Sequence, residues 1–514
     1  MSNDGRSTSR VAHLWAIARV HASTAFIGGL VLVLTGFTPE HWVAYAFHAF
    51  HLPEGLFSRW PSSLDPRLIV VLLGIAIIVA DVLWRRHRTE RAAAQGAPQL
   101  QSADSRRAAE PRSGSPLALP DKPSIAVLPF TNLSGDSDQE YLADGIVDDV
   151  ITALSQVSSL FVVARNSSFK FKGKNSDARE VGQQLGVRYL LEGSVRRSGD
   201  RLRVSAQLID VADGSHVWAE RFERRFQDIF DIQDQLTKEI VTALRIRLTD
   251  GEQASLWLRS TNNVEAWGYA TRGADHMGRG TAADNAEARA LLERAVACDP
   301  GYVKATALIA LTHYLDWVLN YSSSQAESRQ KLAQFASRAL ELDPEEAYAL
   351  LVRGLSDYVE GRFDAAIEGV NRAVAKSPND ALGWLYLARV LVAEERSEEA
   401  EKAIRHAMRL NPFYPVLYLG VLGRALVHRG KAQEALAVFK EAVSRQPNSV
   451  PAHLHLAGLY SSLGQMDAAR AEVAEVLRFD PKYRLAAAGS FYVSSNEGRK
   501  RAFLEDLRRA GLPE

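Results

Sequence analysis

The chain has 514 residues with 61 Lys+Arg against 61 Asp+Glu, so no overall charge draws it to nucleic acid or drives it away. That length exceeds what one hydrophobic core can organise and implies about three folded units. Cys298 is the single cysteine; this excludes an intramolecular disulfide framework and a cysteine-built zinc site, and it suits a reducing compartment.

Two runs near the start are almost free of charge, residues 22–37 ("ASTAFIGGLVLVLTGF") and 67–84 ("RLIVVLLGIAIIVADVLW"). Each approaches the roughly 20 residues that a helix needs to cross a bilayer. They predict a membrane anchor over 1–88, with transmembrane helices at about 18–37 and 67–84. A cleaved signal peptide is the alternative for the first run. Arg6, Arg10 and Arg19 precede the first run, and Arg85, Arg86, Arg88 and Arg91 follow the second. Basic flanks on both sides predict a hairpin with both ends in the cytoplasm, and the lipid bilayer as a partner. The loop between the runs carries His41, His48 and His51 among aromatic residues, the pattern of an interfacial belt rather than a metal site. Residues 89–122 turn to Ala, Ser, Pro, Gln and Arg with no apolar period, the composition of a disordered linker.

At Ser124 the pattern changes. "SIAVLPF" reads as a buried strand. "EYLADGIVDDVITALSQV" sets Leu142, Ile146, Val150 and Leu154 in one helical stripe, with Asp144, Asp148 and Asp149 expected on the solvated side. "LFVVA" is a second strand, and "DAREVGQQLG" a helix with Asp177 as cap and Gly186 as stop. "VRYLLEGSV" is a third strand. In "RLRVSAQL", Leu202, Val204, Ala206 and Leu208 alternate with polar residues, as in a half-buried antiparallel strand. Asp213-Gly214 turns the chain into another strand, and Ile229, Ile232, Leu236 and Ile240 stripe a last helix. The order is βαβαβββα, a small α/β domain over 123–250.

Catalytic signatures are missing from the sequence: it holds no phosphate-binding P-loop, no H-E-x-x-H and no G-x-S-x-G. Asp136, Asp138 and Glu140 imitate a calcium loop, but Tyr141 stands where the turn needs glycine. Ser194 has no neighbouring histidine in the sequence, and Gly193-Ser194 reads as a point where another backbone approaches a strand. Arg196 and Arg197 are expected on the solvent side of the hairpin. No catalytic residue, cofactor or metal ligand is expected.

"IAVLPFTNLSGDSDQEYLADGIVDDVITALS", "VVARNSSFKFKGK", "LGVRYLLEGSVRRSGDRLRVSAQLIDVADGSHVWAERF" and "IFDIQDQLTKEIVTAL" resemble the TolB-like amino-terminal domain of bacterial proteins. That family commonly continues into tetratricopeptide repeats and often carries a nucleotide-cyclase or winged-helix DNA-binding domain upstream. Here the predicted hairpin stands in that place, so the resemblance implies neither catalysis nor DNA binding. It implies a bacterial chain, and with the hairpin a multi-pass protein of the inner membrane whose other domains lie in the cytoplasm.

The remainder, 262–514, shows a period. Pro344, Pro378, Pro412, Pro447 and Pro481 follow one another at steps of 34, 34, 35 and 34 residues, the length of a tetratricopeptide unit. Small residues such as Ala400, Ala407, Ala435, Ala442 and Ala469 recur where paired helices must approach closely. Six copies are expected, the first two irregular, with "GRKRAFLEDLRRAGLPE" as a capping helix. Cys298 falls on the apolar side of one predicted helix, as a small core residue. The first helix of each pair should build a concave face that binds a protein or peptide partner. By register, Tyr358, Tyr386, Arg389, Arg424, His428 and His455 point there. Arg389 and Arg424, at equivalent positions, could form a stripe that reads carboxylates or phosphates, or be solvated or paired within the array. The Lys/Asn clamp of chaperone-binding repeats is not evident.

The fold class expected is therefore α+β multidomain: a two-helix membrane hairpin, a small α/β domain and an all-α repeat solenoid. The function expected is a membrane-anchored scaffold without catalysis, recruiting protein partners and no nucleic acid. A ligand sensor and a signalling enzyme lacking its cyclase domain are the alternatives.

Overall fold

The computed structural model describes residues 117–514 except 175, 250 and 254–259. All of these belong to one compact unit, 109–514. The hairpin expected at 18–37 and 67–84, and most of the linker, lie outside the described residues. Among the described residues no helix is long and apolar enough to cross a membrane. This finding corrects the expected fold class: the protein is a helical repeat solenoid joined to a small mixed-sheet domain. It equally removes the support for a bilayer partner and a multi-pass inner-membrane location. The physical reason lies in the helices themselves, whose apolar residues are interrupted by charges that serve caps, turns and ion pairs.

Among the described residues the sheet domain has six strands: β1 (Ser124–Val127), β2 (Thr131–Asn132), β3 (Phe161–Val162), β4 (Tyr189–Ser198), β5 (Arg201–Asp210) and β6 (Ser215–Arg225). Their order is β3-β1-β4-β5-β6, with β2 continuing the line of β1 beside β4. β1 runs parallel to β3 and β4, while β4, β5 and β6 form an antiparallel meander. Turns at Gly199 and Gly214, both at positive φ, close the two hairpins. Gly193 sits where a Cβ would lie 2.6 Å from the Ser205 carbonyl oxygen, so glycine there permits the β4–β5 approach.

Four helices accompany the strands: α1 (Glu140–Ser155), α2 (Arg165–Ser168), α3 (Ala178–Leu185) and α4 (Ile229–Ala243). The Asp177 carboxylate accepts hydrogen bonds from the Arg179 and Glu180 amides at the start of α3, and Gly186 ends it at φ 64°. Leu142, Ile146, Val150 and Leu154 of α1 join Ile232, Leu236 and Ile240 of α4 in covering one face of the sheet. On the other face Ala126, Leu128, Val163 and Leu190 pack with α3.

The rest of the described residues are mainly helical. Twelve helices form six successive pairs: α5 (Val264–Arg279) with α6 (Ala282–Cys298), α7 (Val303–Val318) with α8 (Gln325–Leu342), α9 (Ala347–Val359) with α10 (Phe363–Lys376), α11 (Ala381–Ala393) with α12 (Ser397–Leu410), α13 (Val416–His428) with α14 (Ala432–Arg445), and α15 (Val450–Ser462) with α16 (Met466–Phe479). Two more helices, α17 (Leu485–Phe491) and α18 (Glu497–Arg509), end the chain. Close approach within pairs rests on small residues: a Cβ at Gly354 would lie 2.6 Å from the Val370 side chain, and one at Gly423 would overlap the Phe439 ring. Cys298 is half-buried rather than fully inside, because it ends α6 beside the turn at Asp299.

The sheet domain and the repeats share their apolar interior. Ala381 and Leu410 complete the cluster on the α3 side of the sheet. Trp267 of α5 enters the cluster on the other side, over Gly145, where a Cβ would lie 2.5 Å from its ring. Fully burying a side chain such as Leu410 contributes about 1.5–3 kcal/mol.

Candidate functional site

The turns that precede the first helices of the pairs form one edge of the array, and the sheet domain docks along it. The Asn379 amide side chain donates to the Val157 carbonyl at 2.8 Å, and its backbone N–H to that of Ser155 at 3.1 Å. The Ser167 hydroxyl donates to Asn411 Oδ1 at 2.6 Å and accepts from the Phe413 amide at 2.8 Å. Arg409 donates to the Gly186 carbonyl at 2.8 Å, and the Ala164 amide to that of Leu410 at 2.8 Å. Buried main-chain groups that a free sheet domain would leave unpaired are thus satisfied by the repeats.

The aspartates of α1 take part in this contact. Asp149 accepts from the Trp267 indole at 2.6 Å and from Gln233 at 2.9 Å. Lys304, 8% exposed at the start of α7, lies 3.4 Å from Asp148 and 3.7 Å from Asp149. Burial disfavours its ammonium, yet the Asp148 and Asp149 carboxylates win and hold its pKa well above the ordinary lysine value. Asp148 also meets Arg165, and Asp144 binds Lys172 at 2.6 Å. Burial pushes the Asp144 and Asp149 carboxyls up, opposed by these cations. The expectation of a solvated aspartate face is therefore corrected: α1 lies between the sheet and the array, so its second face is also covered. Among the described residues no acidic or histidine cluster could hold a metal ion. Ser194 pairs with Thr131 and Ser205 inside the sheet, and Arg196 is exposed.

The inner face of the array is the second arrangement of note. The first helices α7, α9, α11, α13 and α15 touch their successors from pair to pair, which places them on the inside of the curve. Tyr358, Tyr386, Arg389, Arg424, His428 and His455 all lie on these helices. The structure brings them to one face but covers it: Tyr358, Tyr386, Arg389, Arg424 and His455 are buried, and His428 is half-buried. Over Arg424, His428 and His455 the cover is the chain's own stretch from Phe491 to Asn496. Arg424 donates to the Val493 carbonyl at 2.8 Å and lies 4.2 Å from the centre of the Tyr492 ring. The Tyr492 hydroxyl is 3.0 Å from His428 Nε2. The Ser495 amide donates to the Ala393 carbonyl at 2.8 Å, and Arg499 pairs with Glu395. Phe491 and Phe439 flank the His455 ring at 5.1 Å each.

Deeper in the face, Arg389 is 4% exposed and forms no ion pair among the described residues, and its Nε has no hydrogen-bond partner. Tyr314, Tyr358 and Tyr386 surround it, with the Tyr358 hydroxyl bonding the guanidinium, and the Tyr314 hydroxyl is unsatisfied. Tyr314 escaped sequence reasoning. The signal was present: it stands 44 residues before Tyr358, the same step as from Pro300 to Pro344. The covering stretch had no comparable signal, because it falls outside the repeat period.

Comparison with known proteins gives three family-model matches. Two are tetratricopeptide repeats, at residues 426–489 and at 332–381 and 351–415. The third, at 121–243, is the second domain of a HilA/YgeH-like transcriptional regulator. A Rhizobium meliloti (strain 1021) protein provisionally named adenylate cyclase 3 is 45% identical over 239 residues, 46% of this chain. The peroxisomal targeting signal receptor of Saccharomyces cerevisiae is 34% identical over 117 residues, 23% of this chain. The matches span 40% and 17% of those two relatives. Among solved structures, a thermophilic tetratricopeptide protein of Thermus thermophilus is 23% identical with a TM-score of 0.31, covering 38% of this chain and 99% of that one. The carboxyl half is accordingly a tetratricopeptide repeat array.

Proposed function

We propose that the chain is a non-catalytic interaction scaffold: the repeat array receives a segment of a partner protein on its inner face, and the docked sheet domain fixes the array's geometry. The observation that carries this reading is the way the inner face already handles a non-helical stretch of polypeptide. Arg424 donates to one main-chain carbonyl of that stretch, and the Ala393 carbonyl accepts from one of its amides. A surface that pairs with main-chain groups of one non-helical segment has the chemistry to pair with another. The sheet domain is read as TolB-like on the motifs quoted above. The Rhizobium relative's provisional name favours a role in signalling, with the repeats recruiting rather than reacting.

The test is capture of partners by the full chain against a Gly420→Trp variant, which places a bulky ring beside His455 on the inner face. A partner held by the native chain and lost with the variant supports the reading; capture indifferent to the variant removes it.

A second reading, a small-molecule sensor, has one observation in its favour. A cleft of about 90 Å³ at the junction of α1, α4 and the first repeats is lined by Asp149, Gln233, Thr237, Thr261 and Lys304. A polar ligand there would raise the thermal midpoint of the chain, and Gln233→Ala would cancel that rise.

A further inference from the structure

The two edges of the sheet are treated differently. At β3 the edge is 2 residues long, and just beyond it the Ala164 amide donates to the Leu410 carbonyl of the array. At β6 the edge runs over 11 residues, and among the described residues β6 pairs with β5 alone. An open edge of that length is ordinarily blunted by proline, by lysine or by a bulge along it. The stretch "SHVWAERFERR" has neither residue, and the bulge lies close to the turn, at Leu208–Ile209.

The ladder has a fixed parity. One step past the Arg225–Arg201 pair, the Phe226 amide donates to the Asp200 carbonyl. Even-numbered residues of β6 therefore bond β5, and Ala219, Arg221, Glu223 and Arg225 turn their N–H and C=O groups outward. Among the described residues those groups meet one donor, the Arg224 guanidinium, 3.0 Å from the Glu223 carbonyl.

Side chains decide what can pair there. A two-fold axis normal to the sheet keeps each face of an antiparallel partner strand on its own side, so it must pass through a residue. Centred on Glu220, Arg221 or Glu223, it would set like charges against each other on the axis. Centred on Ala219, it would leave the charges opposite uncharged residues. Centred on Phe222, it sets Glu220 against Arg224 of a second copy and Arg221 against Glu223 of that copy, on both sides of the axis. "ERFER", Glu220–Arg224, is its own complement when read antiparallel. These charges are unengaged: Glu220, Arg221 and Arg224 are exposed and form no ion pair among the described residues, and Arg224 reaches only the Glu223 carbonyl and Gln235. Glu223 is held by Arg201 and Arg203 at 3.3 and 3.0 Å, on the face away from α4. Exposed pairs add little affinity; they select the register and exclude other strands, while the main chain supplies the bonds.

We propose that the β6 edge is a homodimer contact, in which two copies of the chain pair β6 with β6 antiparallel about Phe222, over residues 219–225, and so join their sheets into one. The contact stands independently of what the arrays recruit.

The test is sedimentation velocity on the full chain over about 1–200 µM. A ladder this short is a small interface, so a monomer–dimer midpoint on the order of 10 µM is expected. Glu220→Arg and Arg224→Glu, both at exposed positions, each turn their cross-axis pairs into like charges and should weaken dimerisation at least about tenfold. An equimolar mixture of the two variants restores opposite charges and should associate within about threefold of the native chain. Arg221→Pro removes an outward amide without touching a bond to β5, and should abolish the dimer at a nearly unchanged thermal midpoint. Should that variant lose its fold, the charge-reversal pair decides by itself. A chain that stays monomeric across the range overturns the proposal. A native dimer whose midpoint Glu220→Arg and Arg224→Glu leave unchanged overturns it too, by placing the contact elsewhere. Dimers lost in the single variants and not recovered in the mixture overturn the register about Phe222.

Discussion

His428 and His455 stand in a largely positive neighbourhood. Burial, then Arg424 and Arg499, depress the His428 imidazole to about 3, with Glu395 as the one opposing charge. Burial, Arg424, Arg389 and His428 push His455 well below the ordinary histidine range. The unfolded chain takes up a proton at these positions near pH 6.5, the folded chain at His428 only near pH 3. Protons therefore favour the unfolded state as pH falls from about 6.5 to about 3, and above that window these groups change nothing. Urea midpoints measured at pH 7, 5 and 4 should fall, and His428→Gln, which can still hydrogen-bond Tyr492, should flatten the decline. That part is on the order of 1 kcal/mol; superimposable native and variant curves would refute it. Residue-scale features bound to local geometry were legible beforehand. Asp177 as cap and Gly186 as stop follow from rules confined to one helix. The burial of Arg424 was not legible, because it depends on a stretch about 70 residues further along.

At the scale of elements, the pairs are set by where a side chain is not allowed. Gly423→Ala should cost about 1–3 kcal/mol, because the added methyl meets the Phe439 ring in the packed interior of α13 and α14. Gly430→Ala, in open space but at φ 72°, should cost about 1 kcal/mol through backbone strain alone. Denaturation by urea separates the two, and an equal or inverted order would contradict the packing argument. Proline spacing announced these elements because it marks where each second helix must stop. The short helix α2 escaped notice: at four residues it has no period to read.

For the whole molecule, the question is whether two modules unfold as one. Asn379 and Lys304 bind the sheet domain from two separate turns of the array. Asn379→Ala leaves the Val157 carbonyl without its side-chain donor, at about 1–3 kcal/mol. Lys304→Met leaves Asp149 without its cation and Asp148 with Arg165 alone, at about 2 kcal/mol once partial exposure is allowed for. Calorimetry of the double variant should resolve two transitions where the native chain gives one. A single sharp transition in the variant would mean that the shared apolar clusters alone couple the modules.

Local chemistry along the chain determined the strands, the caps, the turn glycines and the proline-marked helical pairs, because each depends on neighbours within one or two turns. It could not determine what each exposed-looking face would meet. The aspartates of α1 and the arginines of the inner face looked solvated or free in one dimension. Only the fold put a repeat array against the first and the chain's own carboxyl-terminal stretch over the second. Apolar runs near the start likewise suggested a membrane hairpin that the described helices do not support. Hydropathy measures the tendency to leave water, while tertiary contact decides what takes water's place.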